Sequence, residues 1–135
     1  MPRILIVEDS FSMRTFVRAA LEGAPVTPGE EVELVEASGG FEALRLLPRG
    51  PYDLVVTDIN MPDINGLELI QFIRSNEHHR TTPILLISTQ ASERDRARGL
   101  SLGADGYLAK PFTADDLRER VSAALASRRG GAPPG

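Results

Sequence analysis

A chain of 135 residues, 41% hydrophobic and 25% charged, has the size and composition of one soluble globular domain with a proper core. Its net charge of −4 argues against nucleic-acid binding, its lack of cysteine excludes disulfides and thiolate metal sites, and no apolar run approaches the roughly 18 residues of a membrane span. Met1-Pro2-Arg3 leads directly into a strand-like run too short for a signal peptide, so the expected setting is the cytoplasm.

Short apolar runs alternate with longer amphipathic segments. Ile4-Leu5-Ile6-Val7 reads as a first strand. Ser10 is placed to cap a helix reaching about Glu22, with Met13, Phe16, Val17 and Leu21 at helical spacing and Gly23 as its stop. The prolines and glycine of Ala24 to Gly29 mark a loop. Val32, Leu34 and Val35 predict a second strand ending near Ala37. A short helix over Gly40 to Leu47 is closed by Pro48 and Gly50, and the third strand is Tyr52 to Thr57. Asp63-Ile64-Asn65-Gly66 is a turn into a helix carrying Leu67, Leu69, Ile70 and Ile73. The fourth strand is Pro83 to Ile87. Ser92 with Asp95 resembles a capping pair for a helix ending near Leu102-Gly103, and Thr113 with Asp116 repeats the pattern after the short fifth strand, Gly106 to Ala109. Leu117, Val121, Ala124 and Leu125 line the last helix. From Arg128 to Gly135 no apolar period continues, so residues 1–127 are expected to form the domain and 128–135 a flexible tail or a truncated linker.

Strands alternating with helices imply a parallel sheet with right-handed crossovers. In such open sheets ligands bind outside the carboxyl ends of the strands. Those ends carry the chemistry here. The first strand runs into Glu8 and Asp9, the third into Asp58, the fourth into Ser88-Thr89, and the fifth into Lys110-Pro111. Three carboxylates, a hydroxyl and an ammonium on one edge suit a hard divalent cation and a phosphoryl group.

These residues, in this order and each after the right strand, resemble the receiver domain of bacterial two-component response regulators. The marks are Glu8-Asp9, Asp58-Ile59-Asn60-Met61-Pro62 with Gly66, Ser88-Thr89, Gly103-Ala104-Asp105-Gly106-Tyr107 and Lys110-Pro111-Phe112, covering Arg3 to about Ser127. The resemblance implies a flavodoxin-like (CheY-like) doubly wound α/β fold, a five-stranded parallel sheet in the order 2-1-3-4-5 with five helices, an order for which a chemotaxis receiver is a standard example.

The resemblance also implies roles. Asp58 is the phosphoacceptor, a carboxylate able to attack phosphorus and form an acyl phosphate. Mg2+ is held by Asp9 directly, by Glu8 through water, by Asp58, and by the backbone carbonyl of Asn60. Lys110 meets a phosphoryl oxygen as a point charge, and the Lys110-Pro111 bond is usually cis in the family. Ser88 is the switch hydroxyl and Tyr107 the switch aromatic. Asn60 and Gln90 flank the path of attacking water. The donor is a phosphohistidine on a sensor histidine kinase or phosphotransfer protein. The output surface is helix four, strand five and helix five, roughly residues 91–126, facing an unknown downstream protein or a second copy of the chain. Neither nucleic acid nor membrane is expected as a direct partner, and the domain is expected to assist its own phosphorylation rather than turn over substrate.

Each residue has a plainer reading: Glu8-Asp9 as caps of the first helix, Asp58 as a turn aspartate, Ser88 as a strand-end hydroxyl, Tyr107 as a half-buried strand tyrosine, Lys110 as a surface lysine. Two other functions compete, a pseudo-receiver that binds protein without phosphorylation and a metal-dependent phosphatase. The latter class usually carries a second acid two residues after the nucleophile, where this chain has Asn60. A receiver cut from a larger regulator is also open. His78 and His79 fall in a loop away from the expected site. Arg94, Arg96 and Arg98 read as a solvated face. The connection from Gly23 to Glu31 is longer than the family usually needs.

Overall fold

The structure, a computed structural model, describes residues 1–27, 29–88 and 93–131, with side chains as far as residue 126. Five strands, β1 (Arg3–Val7), β2 (Glu33–Ala37), β3 (Leu54–Asp58), β4 (Ile84–Ser88) and β5 (Gly106–Ala109), alternate with five α-helices, α1 (Phe11–Gly23), α2 (Gly40–Leu46), α3 (Gly66–Ser75), α4 (Glu93–Leu102) and α5 (Ala114–Gly131). Every strand pair is parallel and the order is β2-β1-β3-β4-β5, the doubly wound sheet expected from sequence.

The unbroken apolar runs are central strands covered on both faces. All five residues of β3 and of β4 are buried, as are the last four of β1. Successive side chains alternate between two cores. Leu5, Val7, Val55 and Leu86 pack with Leu69, Ile70 and Ile73 of α3. Ile4, Ile6, Leu54, Val56, Leu85 and Ile87 pack with Val17 and Leu21 of α1 and with Leu117, Val121 and Leu125 of α5. The edge strand β2 is only partly covered and carries Glu33 and Glu36, charges that discourage pairing with another sheet.

Local signals set the helix starts. Ser10 Oγ accepts from the Met13 amide at 3.2 Å. Asn65 and Glu68 form a reciprocal capping box at α3. Thr113 and Asp116 exchange bonds at α5, with Asp116 N donating to Thr113 Oγ1 at 3.0 Å and Thr113 N to Asp116 Oδ2 at 3.3 Å. Ser92, the expected cap of α4, lies outside the described residues, as do Thr89 and Gln90.

The second strand begins at Glu33 rather than Val32 and the fourth spans Ile84–Ser88 rather than Pro83 to Ile87; three other boundary differences have a plain physical reading. The second helix stops at Leu46 and passes into a 3-10 turn over Leu47–Arg49, where Pro48 can donate no amide. The third strand starts at Leu54 rather than Tyr52, because the Asp53 side chain takes the Arg3 amide at 2.8 Å and Tyr52 turns inward to donate its hydroxyl to Leu46 O at 2.6 Å. The last helix continues to Gly131. An absent apolar period does not show that a segment leaves the helix.

The fourth helix is thinly attached. Gly99 is its one buried residue, and a Cβ there would fall 2.3 Å from Leu86 Cδ1. The glycine lets the helix lie directly on β4, while Arg94, Arg96 and Arg98 face solvent as expected.

Candidate functional site

The parallel register brings the strand ends together. Val7 pairs with Thr57, Asp58 with Ile87, and Ser88 with Ala109, so the residues just beyond these pairs share one edge. Glu8 follows β1 with its amide bonded to Ala37 O at 3.0 Å, and Asp58 is the last residue of β3. Carboxylate oxygens of Glu8, Asp9 and Asp58 lie within 4.8 Å of one another, with Glu8 and Asp58 buried and Asp9 exposed.

Lys110, one residue past β5, supplies the counter-charge. Its Nζ donates to Glu8 Oε1 at 3.1 Å and stands 3.5 Å from Asp58 Oδ2. The three side chains retain only 10%, 4% and 6% exposure, so this is a screened-off charge cluster rather than a surface ion pair. The Lys110–Pro111 bond is cis, as the resemblance implies, and Gly50–Pro51 is cis too. The Lys110 amide donates to Ser88 O at 2.6 Å, joining the last two strand ends.

Burial pushes the Asp58 carboxyl above its ordinary range, with Lys110 pulling back. Burial also raises Glu8, aided by the neighbouring Asp58 charge and opposed first by the Ser10 amide, then by Lys110. That amide reaches Glu8 Oε2 at 3.1 Å. One cation is thus shared between two buried carboxylates that each resist ionisation.

The residues fit a hard divalent cation. Asp58 Oδ1 is buried and makes no well-aligned hydrogen bond among the described residues; the nearby Asn60 and Ile59 amides ease the carboxylate's charge without satisfying this oxygen, an unusual cost. The converging ligand atoms among the described residues are carboxylate oxygens, the ligand type Mg2+ prefers. An octahedral ion with Mg–O near 2.1 Å spans about 4.2 Å between opposite oxygens, so a set within 4.8 Å closes on it with small movements or through one water.

Glycine brings the phosphoacceptor candidate and the next helix into contact. A Cβ on Gly66 would lie 2.4 Å from Asp58 O and 2.9 Å from Ile59 Cα. The first turn of α3 can therefore sit against the β3 terminus only without a side chain, and the Gly66 amide bonds Ile59 O at 2.8 Å. This gives a physical reason for the glycine in the motif.

The other expected residues are placed as follows. Asn60 is exposed in the loop two residues beyond Asp58. Ser88, fully buried, ends β4 beside β3. Tyr107 lies inward on β5 at 8% exposure, outside the acidic cluster, and its carbonyl accepts from Arg120 Nη1 at 2.6 Å. His78 and His79 do not join the site; His79 is buried, with Nδ1 unpartnered among the described residues.

Two positions escaped sequence reasoning. Asp63, read as part of a turn, accepts from the amides of Gly40 at 3.1 Å and Phe41 at 2.9 Å, fastening the loop after Asp58 to the start of α2. Those amides, led by that of Phe41, hold its carboxyl below the ordinary range. The signal was Gly39-Gly40, since a Cβ on Gly39 would meet Asp63 Oδ2 at 2.9 Å and one on Gly40 would meet Ile64 O at 2.7 Å. The second is Arg14, whose Nη1 donates to Glu8 O at 2.7 Å.

The sheet order and this cluster together define a receiver. The family model for the response regulator receiver domain matches residues 4–122, and the chain belongs to that family. It is 36% identical over 119 residues to the chemotaxis protein CheY-3 of Vibrio cholerae, covering 88% of each protein. It is 41% identical over 130 residues to a probable transcriptional regulatory protein of Picosynechococcus, covering 91% of this chain but 49% of that protein, about half its length. Among solved structures, Vibrio cholerae CheY4 superposes with TM-score 0.81 at 34% identity, covering 93% of this chain and 99% of that one. A putative response regulator from Chloroflexus aurantiacus gives 0.84 at 31% identity, with the same coverages. Phosphorylation-activated signalling is the general function of this family. No helix among the described residues is long and apolar enough to cross a membrane.

Proposed function

We propose that Asp58 accepts a phosphoryl group from a phosphohistidine on a sensor histidine kinase or phosphotransfer protein, and that the acyl phosphate shifts the α4–β5–α5 surface to control a protein partner. One observation carries the reading: carboxylate oxygens of Glu8, Asp9 and Asp58 lie within 4.8 Å of one another, two of these residues touch the Lys110 ammonium, and one Asp58 oxygen is left unpaired among the described residues. Residues 1–127 act as the receiver and 128–135 as a tail or linker.

In the transfer an Asp58 oxygen attacks phosphorus, the P–N bond breaks with its electron pair passing to the donor nitrogen, and the ring, already protonated on its other nitrogen, leaves as neutral imidazole. Glu8, Asp9, Asp58 and the Asn60 carbonyl would hold Mg2+, which when bound neutralises charge on the carboxylates and the transferring group. Lys110 stands 3.5 Å from Asp58 Oδ2, which supports a role in which its ammonium meets a phosphoryl oxygen carried by that residue. The Ser88 hydroxyl then donates to another phosphoryl oxygen, drawing the following loop inward, and Tyr107 changes position with it.

The thin attachment of α4 supports it as the moving part, since elements with few buried contacts open most readily. The exposed Arg94, Arg96, Arg98 and Leu100 belong to the surface that a downstream protein or a second copy would meet. The chain acts as a switch in the cytoplasm rather than a multiple-turnover enzyme, and binds no nucleic acid directly. Beryllofluoride with Mg2+, an acyl-phosphate mimic, tests the reading: amide signals near Asp58, Ser88 and Tyr107 should move in the wild type and stay still in Asp58→Asn. No change in the wild type would favour a binding module without phosphorylation.

A further inference from the structure

We propose that Arg14 is the positioning residue of the acidic loop, holding Glu8 and Asp9 in the arrangement that receives the metal ion, with Glu36 of β2 as its anchor. The inference rests on the Mg2+ reading above and assigns a new part of that site.

The β1–α1 junction needs such a clamp. Glu8 stands one residue past the strand, so its carbonyl has left the sheet ladder. Its amide is fixed by Ala37 O at 3.0 Å, and its carbonyl is fixed by Arg14 Nη1 at 2.7 Å. Both ends of the Glu8 peptide are therefore tied, one to β2 and one to α1. The rotation left to the chain at this point decides where the Glu8 and Asp9 carboxylates go.

The guanidinium itself is well held. Arg14 Nε donates to Glu36 Oε1 at 3.0 Å, and Arg14 retains only 15% side-chain exposure. Its Cζ lies 5.6 Å from the centre of the Phe11 ring. A planar fork that spends one N–H on a carboxylate and another on a carbonyl fixes both distance and direction, which a lysine ammonium cannot do. Glu36 also pairs with Arg18 Nη1 at 2.5 Å, so the anchor is fixed from two sides.

Electrostatics alone would make Arg14 a strange choice beside a cation site. A guanidinium near Glu8 repels a divalent cation, and its removal should tighten metal binding. If its geometry matters more, removal should weaken metal binding. Residues that orient metal ligands from outside typically contribute 10–100-fold in affinity. The two roles therefore predict opposite signs.

The test is Mg2+ titration by calorimetry on the full chain, beside thermal unfolding of each variant. Arg14→Gln should bind Mg2+ at least about 10-fold more weakly than wild type. Arg14→Lys, which keeps the charge but not the fork, should fall between the two. Arg18→Gln removes one of the two cations on Glu36 but leaves the Arg14 bond to the Glu8 carbonyl, and should weaken Mg2+ binding less than Arg14→Gln does. If Arg14→Gln does not fold, Glu36→Gln, which weakens the anchor by removing its charge while leaving Arg14 in place, should show the same direction of effect. Unchanged or tighter binding in the folded Arg14→Gln or Glu36→Gln protein overturns the positioning role alone. A wild-type chain that takes up no Mg2+ overturns the metal reading and the positioning role with it.

Discussion

Replacing Lys110 with methionine removes the one ammonium in contact with two buried carboxylates. At 3.1 Å from Glu8 and 3.5 Å from Asp58, with an effective dielectric near 20, each attraction is on the order of 5 kcal/mol. The repulsion between Glu8 and Asp58, whose oxygens lie within 4.8 Å, is then at least about 3 kcal/mol. The folded protein will not carry that imbalance in full, because one carboxyl can take up a proton instead. Breaking a buried ion pair by deleting one partner typically costs about 3–5 kcal/mol, and we expect a loss of that size near pH 7.

The pH dependence identifies the cause. Both carboxyls already sit above their ordinary values, from 4.5 for Glu8 and 3.8 for Asp58, and losing the cation raises them further. The native state then holds protons that the unfolded state has released, so stability falls as pH rises from about 4 through the raised values. Urea unfolding followed by circular dichroism should show the Lys110→Met penalty shrinking toward about pH 4.5 and growing toward pH 7. A loss under about 1 kcal/mol at neutral pH, or the same loss at both pH values, would refute the shared-cation argument.

Asp58→Asn should stabilise the metal-free protein by about 1–2 kcal/mol near pH 7, since it removes a buried charge, and should flatten the decline of stability with rising pH; denaturant unfolding of both proteins measures it. Gly66→Ala drives a methyl against Asp58 O and Ile59 Cα, and should cost about 1–3 kcal/mol in urea midpoint analysis while shifting the Asp58 and Ile59 amides. The desolvated His79 ring should titrate by NMR with a midpoint below 6.5, and its contribution to stability, present above that value, should disappear as pH falls through the native midpoint. Arg74 donates to Arg80 O, Thr82 O and Gly103 O and pairs with Asp105, so Arg74→Ala should lower stability by about 2–4 kcal/mol and loosen the α4–β5 turn, seen as faster amide exchange at Ala104 and Asp105.

Much of the fold could be read because the central strands are buried on both faces. Such strands leave short unbroken apolar runs, and Ile4 to Val7, Leu54 to Thr57 and Ile84 to Ile87 are of that kind. The carboxylates, hydroxyl and lysine were visible as abrupt polar ends of those runs. Contacts across the edge were not visible. Nothing near Glu8 in sequence says that Lys110, 102 residues away, bonds its carboxylate. Asp63 looked like any turn aspartate, because its partners on α2 lie 22 and 23 residues earlier. Helix α4 was not legible by periodicity, since glycine contact with Leu86 replaces an apolar stripe. The extent of α5 was hidden because residues 128–131 carry no apolar period, and a helix can run on without one.

The most direct measurement is mass spectrometry of the chain after exposure to a small phosphodonor such as phosphoramidate, with and without Mg2+. One phosphoryl group should appear per chain, map to the peptide containing Asp58, require Mg2+, and vanish in Asp58→Asn. Absence of phosphate on the folded, Mg2+-bound chain, or a phosphoryl group that maps elsewhere and survives Asp58→Asn, would contradict the assignment of Asp58 as the acceptor.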